Sequence, residues 1–273
     1  MDAYLILAAV FVAAFGLVFG SFANVVIWRY PRSESLAFPG SHCPVCDAPI
    51  AWYDNVPLIG WLALRGRCRS CGVAISARYP VVEALSGALW LTAWLEFGLS
   101  WRTLVAIAFF YLLLILAFID MDTMRLPNRL VAILAAIGLA GVLTSQFLHR
   151  PAAPLLDGVG FLSPPVLFAL AGFVAGGVFP LAVSALYAAV RKTPGLGMGD
   201  VKLAATIGVF LGPYTLMALF FGSAIGAAYG LATQRGEGVR RKISFGPFLA
   251  AGAVLTTVVG LQVWGWYLGL LGL

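Results

Sequence analysis

Four cysteines stand as two pairs, Cys43-Pro-Val-Cys46 and Cys68-Arg-Ser-Cys71, with 21 residues between them. Each CxxC offers two thiolates to one ion, and four thiolates close a tetrahedral shell of the structural zinc type, with no open position for catalysis. The gap is slightly longer than the roughly 15–20 residues usual between such knuckles. The competing chemistry is a pair of disulfides, which a reducing cytoplasm disfavours. A polar segment of about fifty residues has too small a core to fold securely alone, so bound metal would supply the missing folding free energy.

A second chemistry resides in the acids. Of 11 Asp and Glu residues, two sit where apolar runs meet polar connections: Asp120 in AFIDMDTMRLPN and Asp200 in GLGMGDVKLAA. Ionisable groups at that depth are costly unless they line a wet cavity or find partners, which marks them as functional candidates. Two carboxylates sharing one site cannot both ionise easily. One then keeps a proton while the other acts as base toward a water, and the titration belongs to the pair.

Asp122 lies two residues beyond Asp120, about 200° around a helix, so only one of them can face a common partner. A helix cap or turn acid is the plainer reading for each of the three aspartates. Gly197 and Gly199 let the backbone bend sharply and let a substrate chain approach without a Cβ in the way. Lys202 either pairs with an acid or extends to the headgroups. The glycine patterns GxGxxG and GxxxxGK[ST] are missing, so no nucleotide loop is expected.

These groups must be positioned by membrane helices. Of 273 residues, 62% are hydrophobic and 10% charged, with a mean hydropathy of +0.97. Too little polar surface exists for a water-soluble globule, and an all-α polytopic membrane protein is expected. Apolar runs near 4–28, 81–97, 101–119, 130–148, 166–190, 201–212, 213–233 and 245–271 predict about eight transmembrane helices. The sixth is short for a full crossing, and Gly212-Pro213 separates it from the seventh, so a half-helix or broken pair is an alternative. Stripes of small residues (Gly172, Gly176 and Gly177; Gly222, Gly226 and Gly230) would let helices approach closely. The expected organisation is a first helix over 1–28, a cytoplasmic zinc-binding insert over 29–79 and a helical core over 80–273.

Alternate connections carry 15 of the 17 basic residues, with Arg102 and Arg150 alone on the other side. The positive-inside bias therefore places the insert, Asp120 and Asp200 at the cytoplasmic face and both termini outside. The net charge of +6 thus reports orientation in the lipid bilayer, and no nucleic-acid partner is expected. Met1-Asp2-Ala3-Tyr4 lacks the positive start of a secretory signal, so the first helix is expected to be retained. A proton-coupled transporter or a non-enzymatic assembly platform are the competing functional classes. The former is disfavoured because no inverted repeat is visible and the acids cluster at one face.

The motifs together resemble one family, the prepilin peptidases, bacterial membrane aspartic peptidases that process type IV pilins and type II secretion pseudopilins. The resemblance runs through FGSFANVVIWRYP at 19–31, CPVC to CRSC at 43–71, AISARYPVVEALSG at 74–87, IDMDTMRLPN at 119–128 and GLGMGDVKLAA at 195–205. It implies catalytic roles for Asp120 and Asp200, with Asp122, Gly197, Gly199 and Lys202 in the supporting motif. It implies a zinc ion held by Cys43, Cys46, Cys68 and Cys71. It also implies substrates with a basic leader and an apolar helix, in the bacterial inner membrane, with the active site facing the cytoplasm. Many members also methylate the new N-terminus with S-adenosylmethionine, and Gly66 and Glu83 match family positions in the region linked to that activity. Members often carry Asp after the proline of this stretch, where this chain has Asn128.

Overall fold

The computed structural model describes residues 3–147, 155–156, 164–193, 195–233 and 243–270. Met1, Asp2, Arg150, Asp157, Arg235, Glu237, Arg240, Arg241 and Lys242, which entered the charge pattern above, lie outside the described residues, as do positions 148 and 271 of the expected spans. The helices are α1 (Ala3–Arg29), α2 (Ile59–Ala63), α3 (Arg78–Phe97), α4 (Trp101–Thr123), α5 (Asn128–Phe147), α6 (Pro165–Phe173), α7 (Phe179–Arg191), α8 (Met198–Leu211), α9 (Thr215–Thr233) and α10 (Gly246–Leu270). A π-helical turn, Val174–Val178, joins α6 to α7. The chain forms two compact units, one up to Thr103 and one from Leu104 onward.

In the first unit α1 and α3 lie side by side around the intervening insert. Without a hydrophobic drive between helices in lipid, close contact and hydrogen bonds must hold such a pair. A Cβ on Gly20 would lie 2.6 Å from the Cα of Glu83, so only glycine permits this approach. The Ser86 hydroxyl donates to the Gly16 carbonyl at 2.7 Å, and the Asn24 amide donates to the Tyr79 carbonyl at 3.1 Å.

In the second unit α8 is the central rod, with Val201 and every residue from Leu203 to Leu211 buried. Its backbone meets that of α6 at Gly208 and Gly172, where a Cβ on either would overlap the other's carbonyl. Phe210 of α8 stacks on Phe109 of α4, with ring centroids 4.4 Å apart. The small-residue stripe at 172–177 thus serves the close packing expected of it. Prolines mark the starts of several helices: Pro165 opens α6, Pro180 opens α7 and Pro247 follows the first residue of α10. Their missing N–H groups fall where a helix leaves such donors unused.

The expected count of about eight spans is revised to six segments that are long and apolar enough to cross, among the described residues. One difference is α3, which carries Arg78, Glu83 and Glu96 and is too polar to qualify. The other is Met198–Thr233, a single 36-residue segment in place of two full spans. At 14 residues α8 is about 21 Å long, short of the ~30 Å hydrocarbon core. Gly212, at φ +56°, breaks the segment. Beyond it α9 turns back: Ala218 meets Gly252 and Gly222 meets Phe248 and Leu249, so α9 runs antiparallel to α10.

Candidate active site and metal centre

Asp120 and Asp200 belong to the second unit, and three contacts bring their surroundings to one end of it. The Leu126 side chain, in the loop after α4, packs 3.4 Å from where a Cβ on Gly199 would stand. The Lys202 ammonium donates to the Asn128 side-chain carbonyl at 3.0 Å, tying the start of α8 to the start of α5. The backbone N–H of Gly246, first residue of α10, donates to Asp120 Oδ2 at 3.0 Å.

Asp120 is 5% exposed, whereas Asp122 is exposed, so the helix turns them to different surroundings as their spacing requires. Asp200 is half-buried in the first turn of α8, behind the Gly197-Met198-Gly199 turn. A Cβ on Gly197 would lie 3.0 Å from Asp200 Oδ2, so a side chain there would crowd the carboxylate. The Lys202 bond is to an amide, where an acid or the headgroups were the two expected partners.

Two contacts were invisible in the sequence. Gly246 carries no chemistry by residue type; the only signal is Gly246-Pro247 opening a helix, where the first N–H groups lack intrahelical partners. Ser184 of α7 accepts a hydrogen bond from the Leu196 N–H at 2.9 Å and so holds the strand of chain leading into Gly197–Asp200.

The metal-site geometry lies in the first unit. The Cys43, Cys46, Cys68 and Cys71 sulfurs all lie within 4.8 Å of one another, and none is in a disulfide. A tetrahedral ion with metal–sulfur bonds of ~2.3 Å needs sulfurs about 3.8 Å apart. Cys43 and Cys71 meet that at 3.8 Å. The two knuckles are built alike: Cys43 N–H donates to Ala48 and Asp47 N–H to Cys43, while Cys68 N–H donates to Val73 and Gly72 N–H to Cys68. Asp47 and Gly72 occupy the same left-handed position in each.

The backbone N–H of Cys71, then that of Ser70, holds the Cys68 thiol down to about 6. Against the pull of the Ala48 N–H, neighbouring sulfurs led by Cys71 push Cys46 up to about 12. Cys68 therefore sheds its proton readily while Cys46 holds its own until a cation replaces it, which is the donor chemistry of a metal site. Arg69, inside the second knuckle, grips Asp54 through two bonds of 2.7 and 2.6 Å. That bond to Arg69 holds the Asp54 carboxyl below the usual carboxylate range.

Gly66 and Glu83 both serve α2. Gly66, at φ +66°, lies under the Trp61 ring, and the buried Glu83 carboxylate accepts the Leu58 N–H at 2.8 Å.

A multi-pass helical membrane protein with two carboxylates at one bundle end and a separate four-thiol knuckle is the class this architecture defines. Residues 14–97 match the bacterial peptidase A24 N-terminal domain, and residues 107–231 match the type IV leader peptidase family, a division that follows the two units. A prepilin leader peptidase/N-methyltransferase of Myxococcus xanthus is 41% identical over 228 residues, covering 82% of this chain and 63% of that protein. Proteins of the same name from Aeromonas salmonicida and Neisseria gonorrhoeae are each 34% identical over 285 residues, covering 93% and 94% of this chain and 91% and 93% of theirs. The chain belongs to the type IV leader peptidase family. No solved structure matches it significantly.

Proposed function

We propose that this chain is a membrane aspartic endopeptidase that removes the leader of type IV prepilins or pseudopilins and then N-methylates the new N-terminus with S-adenosylmethionine. The observation that carries this reading is the buried Asp120 carboxylate, anchored by the Gly246 N–H, at the same end of the second unit as Asp200 behind its two-glycine turn. A water held between the two loses its proton to one carboxylate as its oxygen attacks the scissile carbonyl. The other carboxyl donates its proton to the carbonyl oxygen. Collapse breaks the C–N bond, and a carboxyl proton passes to the leaving nitrogen. The leader departs as a carboxylate and the pilin as an amine, with no covalent intermediate.

Orientation follows from the ends of the second unit. Arg125, Arg129, Arg191, Lys192 and Lys202 lie on the connections or first turns at the aspartate end, which supports a cytoplasmic active site in the bacterial inner membrane. The substrate's basic leader then stays in the cytoplasm while its apolar helix lies in the bilayer.

The four cysteines would hold a structural zinc, whose chemistry here is to fasten the insert. The methyl donor supplies a methyl group to the new amine. Gly66 and Glu83 are committed to α2 and would act as positioning residues for this unit, and no step is routed through them.

Incubation of the purified protein with a prepilin and the methyl donor tests the whole reading by product mass. Cleavage removes the leader's mass and methylation adds that of a methylene. An unchanged substrate mass would overturn it.

Zinc is expected at one ion per chain, and Cys43→Ser or Cys71→Ser should abolish it in elemental analysis of folded, reduced protein. Asp54→Asn should speed zinc release to a chelator at pH 7 by roughly two- to fivefold. A carboxyl held low by folding contributes stability above its unfolded pKa and loses it as pH falls through the lowered folded value. The two proteins should therefore differ at neutral pH and draw together under acid conditions. Equal release rates at pH 7 would show that the Arg69 pair does not hold the knuckle.

A further inference from the structure

A groove of about 510 Å³ opens between α7 and α9. Its walls are Phe179, Val183 and Tyr187 of α7, Leu219 and Ser223 of α9, and Phe245 just ahead of α10. Phe179, Val183 and Tyr187 are each about half exposed, so the apolar face of α7 lacks a full partner among the described residues. Its rim runs into the site described above from both sides. Gly195 and Leu196 line it and lead directly to Gly197–Asp200, held there by Ser184. Phe245 precedes the Gly246 N–H that grips Asp120.

We propose that this groove seats the first two turns of the substrate's apolar helix, immediately after the scissile bond. The inference rests on the peptidase reading and names its substrate subsite. Three features select this occupant over others. From Phe179 to Tyr187 the wall is nine residues, about eight rises or ~12 Å, which is about two turns of a partnered helix. Among the described residues no charged side chain lines it, as an apolar helix requires. Small side chains at Ser184, Gly195 and Ser223 leave space for a backbone to come close, which is how helices associate in lipid. A second groove of about 490 Å³, between α5 and the π-helical turn, has Lys202 among its lining residues. A cation there has no counterpart on an apolar helix.

The test compares full-length prepilin with a truncated substrate that ends shortly after the scissile bond and lacks the helix. In Ser223→Trp and Val183→Trp, an indole fills the groove. The ratio of kcat/KM for full-length over truncated substrate should fall by roughly tenfold or more, mainly through KM. Ala185→Trp, on the outward face of α7, should leave that ratio as in the unmodified protein. An unchanged ratio in both groove variants would overturn the proposal and leave the peptidase reading standing, with lipid as the groove's occupant. Failure of the unmodified protein to cleave either substrate would sink both.

Because a tryptophan variant can fail to fold, a second measurement uses the groove intact. A prepilin with a photoreactive side chain in the first helical turn after its leader is irradiated with uncleaving Asp200→Asn protein. Crosslinks should map to 179–187 and 219–223. Crosslinks confined to other helices would overturn the proposal.

Discussion

Cleavage of a prepilin is expected to fall by at least ~10³-fold in Asp120→Asn and equally in Asp200→Asn, because general acid and base transfer are both lost when either carboxyl becomes an amide. Asparagine is close to isosteric, and its side-chain oxygen can still accept the Gly246 N–H that Asp120 Oδ2 accepts at 3.0 Å. The bundle should stay folded, and the four-cysteine knuckle lies in the other unit, so metal content should match the unmodified protein. Groups that act as one device are not additive, so the double variant should be little worse than either single one. Asp122→Asn, on an exposed position, should keep cleavage within about twofold of normal, as surface substitutions usually do. Initial rates with a purified prepilin decide the matter. Retained cleavage in either single variant would move the proton transfer to another acid, with Asp122 next in line.

How far this arrangement could be read from the residues depended on the range of each interaction. The knuckles were legible because Cys43 and Cys46, like Cys68 and Cys71, are close in sequence, and a CxxC turn dictates its own geometry. Asp120 and Asp200, 80 positions apart, could be placed at one end only through the alternation of apolar runs, and that alternation put them there. The break at Gly212-Pro213 and the return of the chain through 213–233 were visible; the glycine contacts that seat α9 on α10, such as Gly252 with Ala218, were not. Composition alone already sets α3 apart: Arg78, Glu83 and Glu96 leave it too polar to be counted as a crossing helix, although it packs closely on α1.

Lys202 illustrates a different limit. An acid or the headgroups were its expected partners, yet it ties to Asn128, the position at which this chain departs from the family pattern. An amide can accept from an ammonium without carrying charge, so the tie between α5 and α8 survives the departure. The contacts of Ser184 and Gly246 were illegible for a simpler reason. Each passes through a backbone group, and a backbone N–H is common to every residue except proline.

Gly246→Ala tests the contact that sequence reading missed, and its effect should be second only to loss of an aspartate. Asp120 ends up at the start of α10, where the first N–H groups have no partner within the helix, and it takes one of them. The approach leaves no space: a Cβ on Gly246 would lie 2.6 Å from Oδ2 and 3.1 Å from Cγ of that carboxylate. Alanine therefore forces either the carboxyl to rotate or α10 to shift, and the second move is resisted by the close contact of Gly222 with Leu249. The carboxyl yields first, and a reacting group displaced by about 1 Å costs on the order of 10²-fold. That loss should fall mainly on kcat, and metal content should be unchanged because the knuckle belongs to the other unit. A purely structural role would instead lower the amount of folded protein while each remaining molecule turned over normally. Normal kcat per folded molecule would therefore detach Gly246 from the chemistry and leave Asp120 held by something other than the helix end that now grips it.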